Sequence, residues 1–258
     1  MSESTLPLLK ARGLSVAFDG FMAINGIDLS VPRGGLLGVA GTNGAGKSTL
    51  FAALAGQVTA TQGEVEFAGH LITAKPPHQR ARLGLARTFQ VPREFASLSV
   101  LDNLRAAAPN AAHESLVAAW LGRSAARRAD QALAERADEV LALTGLARVR
   151  DERAGALSGG QKKLLELARA LMGRPQCILL DEPFAGVNPV LIEKLLEVLR
   201  TIHQQGIALV VIEHHLQALK SLVPRLVVMD QGQIIADGAP DQVLDDARVQ
   251  AAYMGGVV

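Results

Sequence analysis

The sequence predicts an α/β fold with a mostly parallel sheet and an inserted α-helical lobe, and three observations point to it. From Ser158 onward, short apolar runs at 177–180, 207–212 and 226–229 alternate with helical stretches. Strand, helix, strand in that order implies right-handed crossovers and a parallel sheet. Between about 97 and 150 the composition turns to Ala, Arg and Glu, and Leu133, Ala137, Val140, Leu141 and Thr144 recur at three- and four-residue spacing. That is a helical period. Finally, a chain of 258 residues that is 49% hydrophobic can fill the core of one large domain, or of one domain with an insert, and is not a disordered sequence.

Along the chain, the first ten residues show no charged-then-apolar secretory pattern. No run approaches the roughly 20 apolar residues that span a bilayer. The chain is therefore expected to be soluble by itself, and to need a partner to hold it at a membrane. A net charge of +1 and 3% aromatic residues offer neither a basic face nor a stacking platform, so no nucleic-acid partner is expected. The single cysteine, Cys177, has no disulfide partner within the chain, consistent with a reducing compartment.

From 8 to about 67, runs of Val, Leu and Ile alternate with Gly and Asp turns, which reads as several strands. Val31-Pro32-Arg33-Gly34-Gly35 is a turn, and 36–40 is a compact apolar strand. It leads into Gly41-Thr42-Asn43-Gly44-Ala45-Gly46-Lys47-Ser48-Thr49, the phosphate-loop pattern of the P-loop NTPase core. The glycines let successive backbone N–H groups turn toward an anion, and a helix starting near Lys47 adds its positive dipole end. Lys47 is expected on the β and γ phosphates, and the Ser48 hydroxyl on Mg²⁺. An amphipathic helix carrying Leu50 and Leu54 is expected to follow. This motif alone leaves kinases, GTPases, helicases and transport ATPases open.

A second run, Cys177-Ile178-Leu179-Leu180-Asp181-Glu182-Pro183, is a buried strand ending in two acids, at the end of a parallel sheet where ligands bind. Asp181 would hold Mg²⁺ through water, and Glu182 would polarise a water for attack on the γ phosphate.

Leu157-Ser158-Gly159-Gly160-Gln161 stands just before a helix expected over 162–172. A serine and two glycines at a helix start form a second anion-binding nest. Here the sequence resembles the ABC ATPase family, whose signature motif has this form. The resemblance implies that two chains pack head to tail, each signature closing on the ATP held by its partner's phosphate loop. It further implies an N-terminal antiparallel β subdomain. Gln90 resembles the glutamine that completes Mg²⁺ coordination, His214 the switch histidine on the γ phosphate, and Phe18 the aromatic that stacks on adenine. Ala185-Gly186-Val187-Asn188 resembles the loop that couples the two ATP sites, and the segment from Val91 to Ser97 the groove that receives a helix of the membrane subunit.

The resemblance covers almost the whole chain, as a single domain over 6–254 with core 6–90 and 158–254 and a helical insert 97–157. It is nearest to the ATPases of branched-chain amino acid uptake, through 85–90, 181–189 and the ending Val249-Gln250-Ala251-Ala252-Tyr253-Met254-Gly255. It implies ATP and Mg²⁺ as cofactors, with a second ATPase subunit, permease subunits and a periplasmic or extracellular solute-binding protein as partners. The implied location is the cytoplasmic face of the cell membrane. Related lipopolysaccharide-type exporters and soluble ABC ATPases are the alternatives. A regulator without catalysis usually loses the Lys, Glu or His that stand here as Lys47, Glu182 and His214.

Overall fold

Alternation of apolar and polar residues builds the first layer. The structure, a computed structural model, describes residues 6–89, 93–109 and 123–255. β1 (Leu9–Phe18) and β2 (Phe21–Val31) pair antiparallel, from Leu9 opposite Val31 to Phe18 opposite Phe21. The two-residue turn between them, Asp19-Gly20, has both φ angles positive, as the twist of a tight hairpin requires. β4 (Gln62–Phe67) pairs with the other edge of β1 and β5 (His70–Leu71) with β4, giving the expected antiparallel sheet in the order β2-β1-β4-β5. Leu9, Ala11, Leu14, Ile24, Ile27, Val65 and Phe67 are buried beneath it.

The second sheet has the order β10-β9-β3-β8-β7-β6. It comprises β3 (Leu36–Gly41), β6 (Leu85–Arg87), β7 (Cys177–Asp181), β8 (Ala208–Ile212), β9 (Arg225–Asp230) and β10 (Gln233–Gly238). All neighbours are parallel except β10, which closes one edge antiparallel to β9. β3, β7 and β8 are buried along their whole length, which explains their unbroken apolar runs. Because these strands are parallel, Gly41, Asp181 and Ile212 come out at the same edge of the sheet.

α1 (Lys47–Ala55) follows β3 and departs from the amphipathic helix expected there. Leu50, Phe51, Ala53, Leu54 and Ala55 are all buried, and the helix joins residues of both sheets in one core. A helix with a layer on either side needs no polar stripe. The C-terminal end of α1 is tied by Arg80 of α2 (Pro77–Arg82), whose guanidinium donates to the carbonyls of Ala53, Leu54, Thr73 and Lys75 at 2.7–2.8 Å.

The chain divides into two compact units, residues 1–90 with 175–258, and Val91–Arg174. The second is helical, with α3 (Val100–Ala107), α4 (Arg123–Thr144) and α5 (Gly159–Met172). α5 packs on α3 and α4 and groups with them, whereas the sequence placed the insert at 97–157. Ala137, Val140, Leu141 and Thr144 form the buried face of α4, as their spacing predicted, and Leu133 is half-buried. In the first unit, α6 (Pro189–Gln204), α7 (Leu216–Leu222), α8 (Pro240–Leu244) and α9 (Ala247–Gly255) complete the described helices. Among the described residues no helix is long and apolar enough to cross a membrane.

Candidate functional site

The glycine loop is shaped by close backbone approach. Gly41 has φ 147°, and a Cβ there would lie 2.2 Å from the Met229 carbonyl oxygen. Gly46 has φ 93°, and its Cβ would lie 2.6 Å from the Ala23 carbonyl oxygen. Neither position has space or conformation for another residue. Gly46 is also the N-cap of α1 and supplies no side-chain cap, so the first-turn N–H groups are left for an anion. In front of the loop is a cavity of about 350 Å³. Asn43, Gly44, Ala45, Gly46, Lys47, Ser48 and Thr49 line it, together with Phe18, Phe21, Ala23, Glu182 and His214.

Lys47 is buried, and its Nζ donates to the carbonyl oxygens of Gly41 at 2.9 Å and Thr42 at 2.8 Å. Burial pushes its pKa down, while the neighbouring Glu182 and Asp181 pull it back up. The ammonium is thus folded against its own loop, at the floor of the cavity. The Thr42 hydroxyl, at a position where the loop uses backbone donors, bonds to Asp230 Oδ1 at 3.3 Å.

The two acids after β7 are placed differently. Asp181 is buried outside the cavity wall, and its Oδ2 accepts from Arg87 Nη2 at 2.7 Å. Its backbone N–H donates to the Thr88 hydroxyl at 3.2 Å. Glu182 does line the cavity. Its φ of 47° is in the left-handed region, uncommon for a residue with a Cβ, and its N–H donates to the Ile212 carbonyl at 3.0 Å. This bend leaves the side chain facing β8, where Glu182 Oε1 lies 2.9 Å from His214 Nε2. His215 instead caps α7, its Nδ1 accepting from the Ala218 N–H.

Ser158, Gly159, Gly160 and Gln161 belong to the helical unit. α5 starts at Gly159, three residues earlier than expected, because Ser158 is its N-cap. The Ser158 hydroxyl accepts from the Gln161 N–H at 3.3 Å and Gln161 Oε1 accepts from the Ser158 N–H at 2.9 Å, a reciprocal capping box. Asn188 plays the same part for α6, accepting from the Leu191 N–H at 2.9 Å. Gln90 lies outside the described residues, as do Val91 and Pro92. A second, open cavity of about 870 Å³ flanks the loop between Gly41, Thr42, Asn43, His214, Asp230 and the α9 residues Arg248 and Tyr253.

Three residues of this neighbourhood were not singled out as site residues from sequence. Phe21 stands opposite Phe18 at the hairpin end and shares the cavity wall with it. The Phe-x-x-Phe spacing across an Asp-Gly turn was the available signal. Arg87 lies in the 85–90 run with no role assigned to it from sequence, and its pairing with Asp181 needs the adjacency of β6 and β7. Glu213, next to the histidine, is fully buried, which no local pattern announces.

A mostly parallel sheet, a glycine loop wrapped over an uncapped helix and two acids at the end of the next strand but one define a phosphate-loop nucleoside triphosphatase. The sequence profile of the ABC transporter family matches residues 24–185, and that of the branched-chain amino acid ATP-binding cassette transporter family matches residues 233–258. A probable branched-chain amino acid transport ATP-binding protein of Archaeoglobus fulgidus, LivG, is 36% identical over 250 residues, 97% of this chain and 96% of its own length. BraF, a high-affinity branched-chain amino acid transport ATP-binding protein of Pseudomonas aeruginosa, is 34% identical over 96% of this chain and 98% of its own. The crystal structure of a nucleotide-free ATP-binding cassette from an ABC transporter matches with a TM-score of 0.84 at 34% identity, over 96% of this chain and 99% of that one. The chain belongs to the ABC transporter ATP-binding family, and it is an ATPase.

Proposed function

We propose that this chain is the motor subunit of a membrane uptake system for branched-chain amino acids or related small polar or amide solutes. The observation that carries the cargo class is the C-terminal match over residues 233–258, together with relatives named for that transport. In this reading ATP enters the 350 Å³ cavity with its phosphates on the N–H groups of 43–49. Lys47 exchanges the carbonyls of Gly41 and Thr42 for the β and γ phosphates, and Phe18 stacks on the adenine. Glu182 orients the attacking water as general base, and His214, already 2.9 Å from it, contacts the γ phosphate.

The donor set of Ser48, Gln90 and Asp181 is all oxygen, which is what Mg²⁺ takes in phosphate-bearing sites. When bound there, the ion would neutralise charge developing on the phosphate oxygens. Asp181, paired with Arg87 at 2.7 Å, would hold the ion through water. Ser158, Gly159, Gly160 and Gln161 serve the ATP of a second copy or a homologous subunit, packed head to tail. ATP then drives closure because it binds the closed pair better than the open one. Permease subunits hold the motor at the cytoplasmic face of the membrane, and a solute-binding protein delivers cargo. Phe95 and Leu98, both exposed on the helical unit, form part of the permease contact.

The test replaces Glu182 with Gln. The expected result is hydrolysis reduced about a hundredfold or more, as for loss of a general base, with an ATP-dependent dimer accumulating by light scattering. Wild-type hydrolysis by this variant overturns the base assignment. Purification from membranes with its partners, followed by identification of the bound solute, tests the cargo. Recovery with an exporter permease overturns the uptake reading.

A further inference from the structure

Glu213 is an acid that the proposed chemistry does not use, yet it is 2% exposed and placed where three strand ends meet. Its backbone N–H donates to the Val39 carbonyl at 3.2 Å, two residues before the phosphate loop begins. Its Oε1 accepts from the Phe184 N–H at 2.6 Å, in the turn that carries Glu182. Its Oε2 accepts from the N–H groups of His214 at 3.1 Å and His215 at 3.4 Å. One residue therefore joins strand β3 to the turns after β7 and β8.

The contacts are specific in kind. Both carboxylate oxygens are engaged, one per turn, and hydrogen bonds from N–H groups to an ionised acceptor are shorter and stronger than neutral ones. Burial, the largest influence, pushes the Glu213 carboxyl above the usual range, with Glu182 adding to it, while the N–H donors of Phe184, His215 and His214 pull the other way. A core position filled only for packing would carry an apolar side chain at no such desolvation cost. The geometry on the far side of the two turns is the 2.9 Å approach of Glu182 Oε1 and His214 Nε2.

We propose that Glu213 is a positioning residue for hydrolysis: its carboxylate ties the Phe184 and His214 backbones together and so sets the approach of Glu182 and His214. This rests on the roles proposed above for those two residues. It acts through them and does not line the cavity in front of the phosphate loop. A Gln at this position keeps the size but offers an acceptor to one turn only, and an Ala offers none.

The experiment measures ATP-binding stoichiometry, ATP KM and kcat per nucleotide-bound site for the full-length wild-type chain and for Glu213→Gln, Glu213→Ala and His214→Ala. A displaced reacting group costs on the order of tenfold to a hundredfold in rate, so kcat per site is expected to fall at least tenfold in Glu213→Ala and several-fold in Glu213→Gln. Stoichiometry and KM are expected to stay within about twofold, because no nucleotide contact is removed. A purely structural role would instead reduce the number of competent sites and leave kcat per site intact, and that result overturns the proposal. If Glu213→Ala does not fold, Glu213→Gln, of equal size, gives the same reading. Wild-type kcat per site in the Glu213 variants beside an impaired His214→Ala overturns the positioning role alone. Wild-type hydrolysis by His214→Ala overturns the reading of the histidine, and with it the need to position it.

Discussion

At the scale of single residues, the loop geometry and the buried thiol give the sharpest expectations. Gly46 is held at φ 93° with the Ala23 carbonyl 2.6 Å from where a Cβ would stand, so Gly46→Ala must move backbone as well as adopt a strained angle. A strained φ costs about 1–3 kcal/mol by itself, and the clash adds to it. Chemical denaturation should show at least that loss, with nucleotide binding abolished in titration. Cys177 lies within β7, fully buried, and burial pushes its thiol up to about 12. The thiolate is the reactive form, so at pH 8 the native chain should resist a thiol reagent that labels it fully in denaturant. Rapid labelling of native protein would show that β7 opens readily. The phosphate-loop residues and Glu182 were legible at this scale because their chemistry is written in residue type and spacing. Arg87 and Glu213 were not, since an arginine on a strand and a glutamate beside a histidine have meaning only through the residues across from them.

At the scale of elements, helix ends decide much of the local stability. The last carbonyls of α1 have no intrahelical donors, and Arg80 supplies them from α2 with one guanidinium, which burial pushes down to about 10 and leaves charged at neutral pH. Arg80→Ala removes this donor from the carbonyls of Ala53, Leu54, Thr73 and Lys75, and of these four Ala53 keeps the Gly56 N–H at 3.1 Å, so three groups are orphaned. At roughly 1 kcal/mol or more per orphaned group, a loss of about 3 kcal/mol is expected by urea denaturation. A surface N-cap is a milder case. Ser99 caps α3 by accepting from the Asp102 N–H at 3.0 Å, so Ser99→Ala should cost about 1 kcal/mol, with a lower Tm and unchanged nucleotide affinity. The strands β7, β8 and β9 were legible as apolar runs because a central parallel strand is buried on both faces. The start of α5 was read three residues late, because Gly159-Gly160 is a poor helix opening unless Ser158 and Gln161 cap each other first.

At the scale of the whole molecule, the proposed pairing of two chains predicts how activity depends on concentration. If each signature completes a partner's site, specific hydrolysis of the isolated chain should rise with chain concentration and plateau once dimers dominate. A rate per chain that is flat across a hundredfold dilution range would contradict a shared site. Contact with the permease makes a separate prediction. Phe95→Asp and Leu98→Asp, at exposed positions of the helical unit, should leave basal hydrolysis of the isolated chain unchanged and reduce its stimulation in the assembled transporter.

What the sequence determined by itself was the chemistry and the order of elements: a glycine loop after a buried strand, two acids after another, a capped helix with a signature, and a helical segment between them. These are local, because backbone curling, burial on both sides and helical period are properties of neighbouring residues. What only the tertiary structure decided was which of these features stand together. The parallel order places Gly41, Asp181 and Ile212 at one edge, sets Glu182 beside His214, turns Asp181 toward Arg87, and gives Glu213 its place between the strand ends. Those pairings join residues dozens of positions or more apart along the chain. They arise from strand adjacency, which local pattern does not encode.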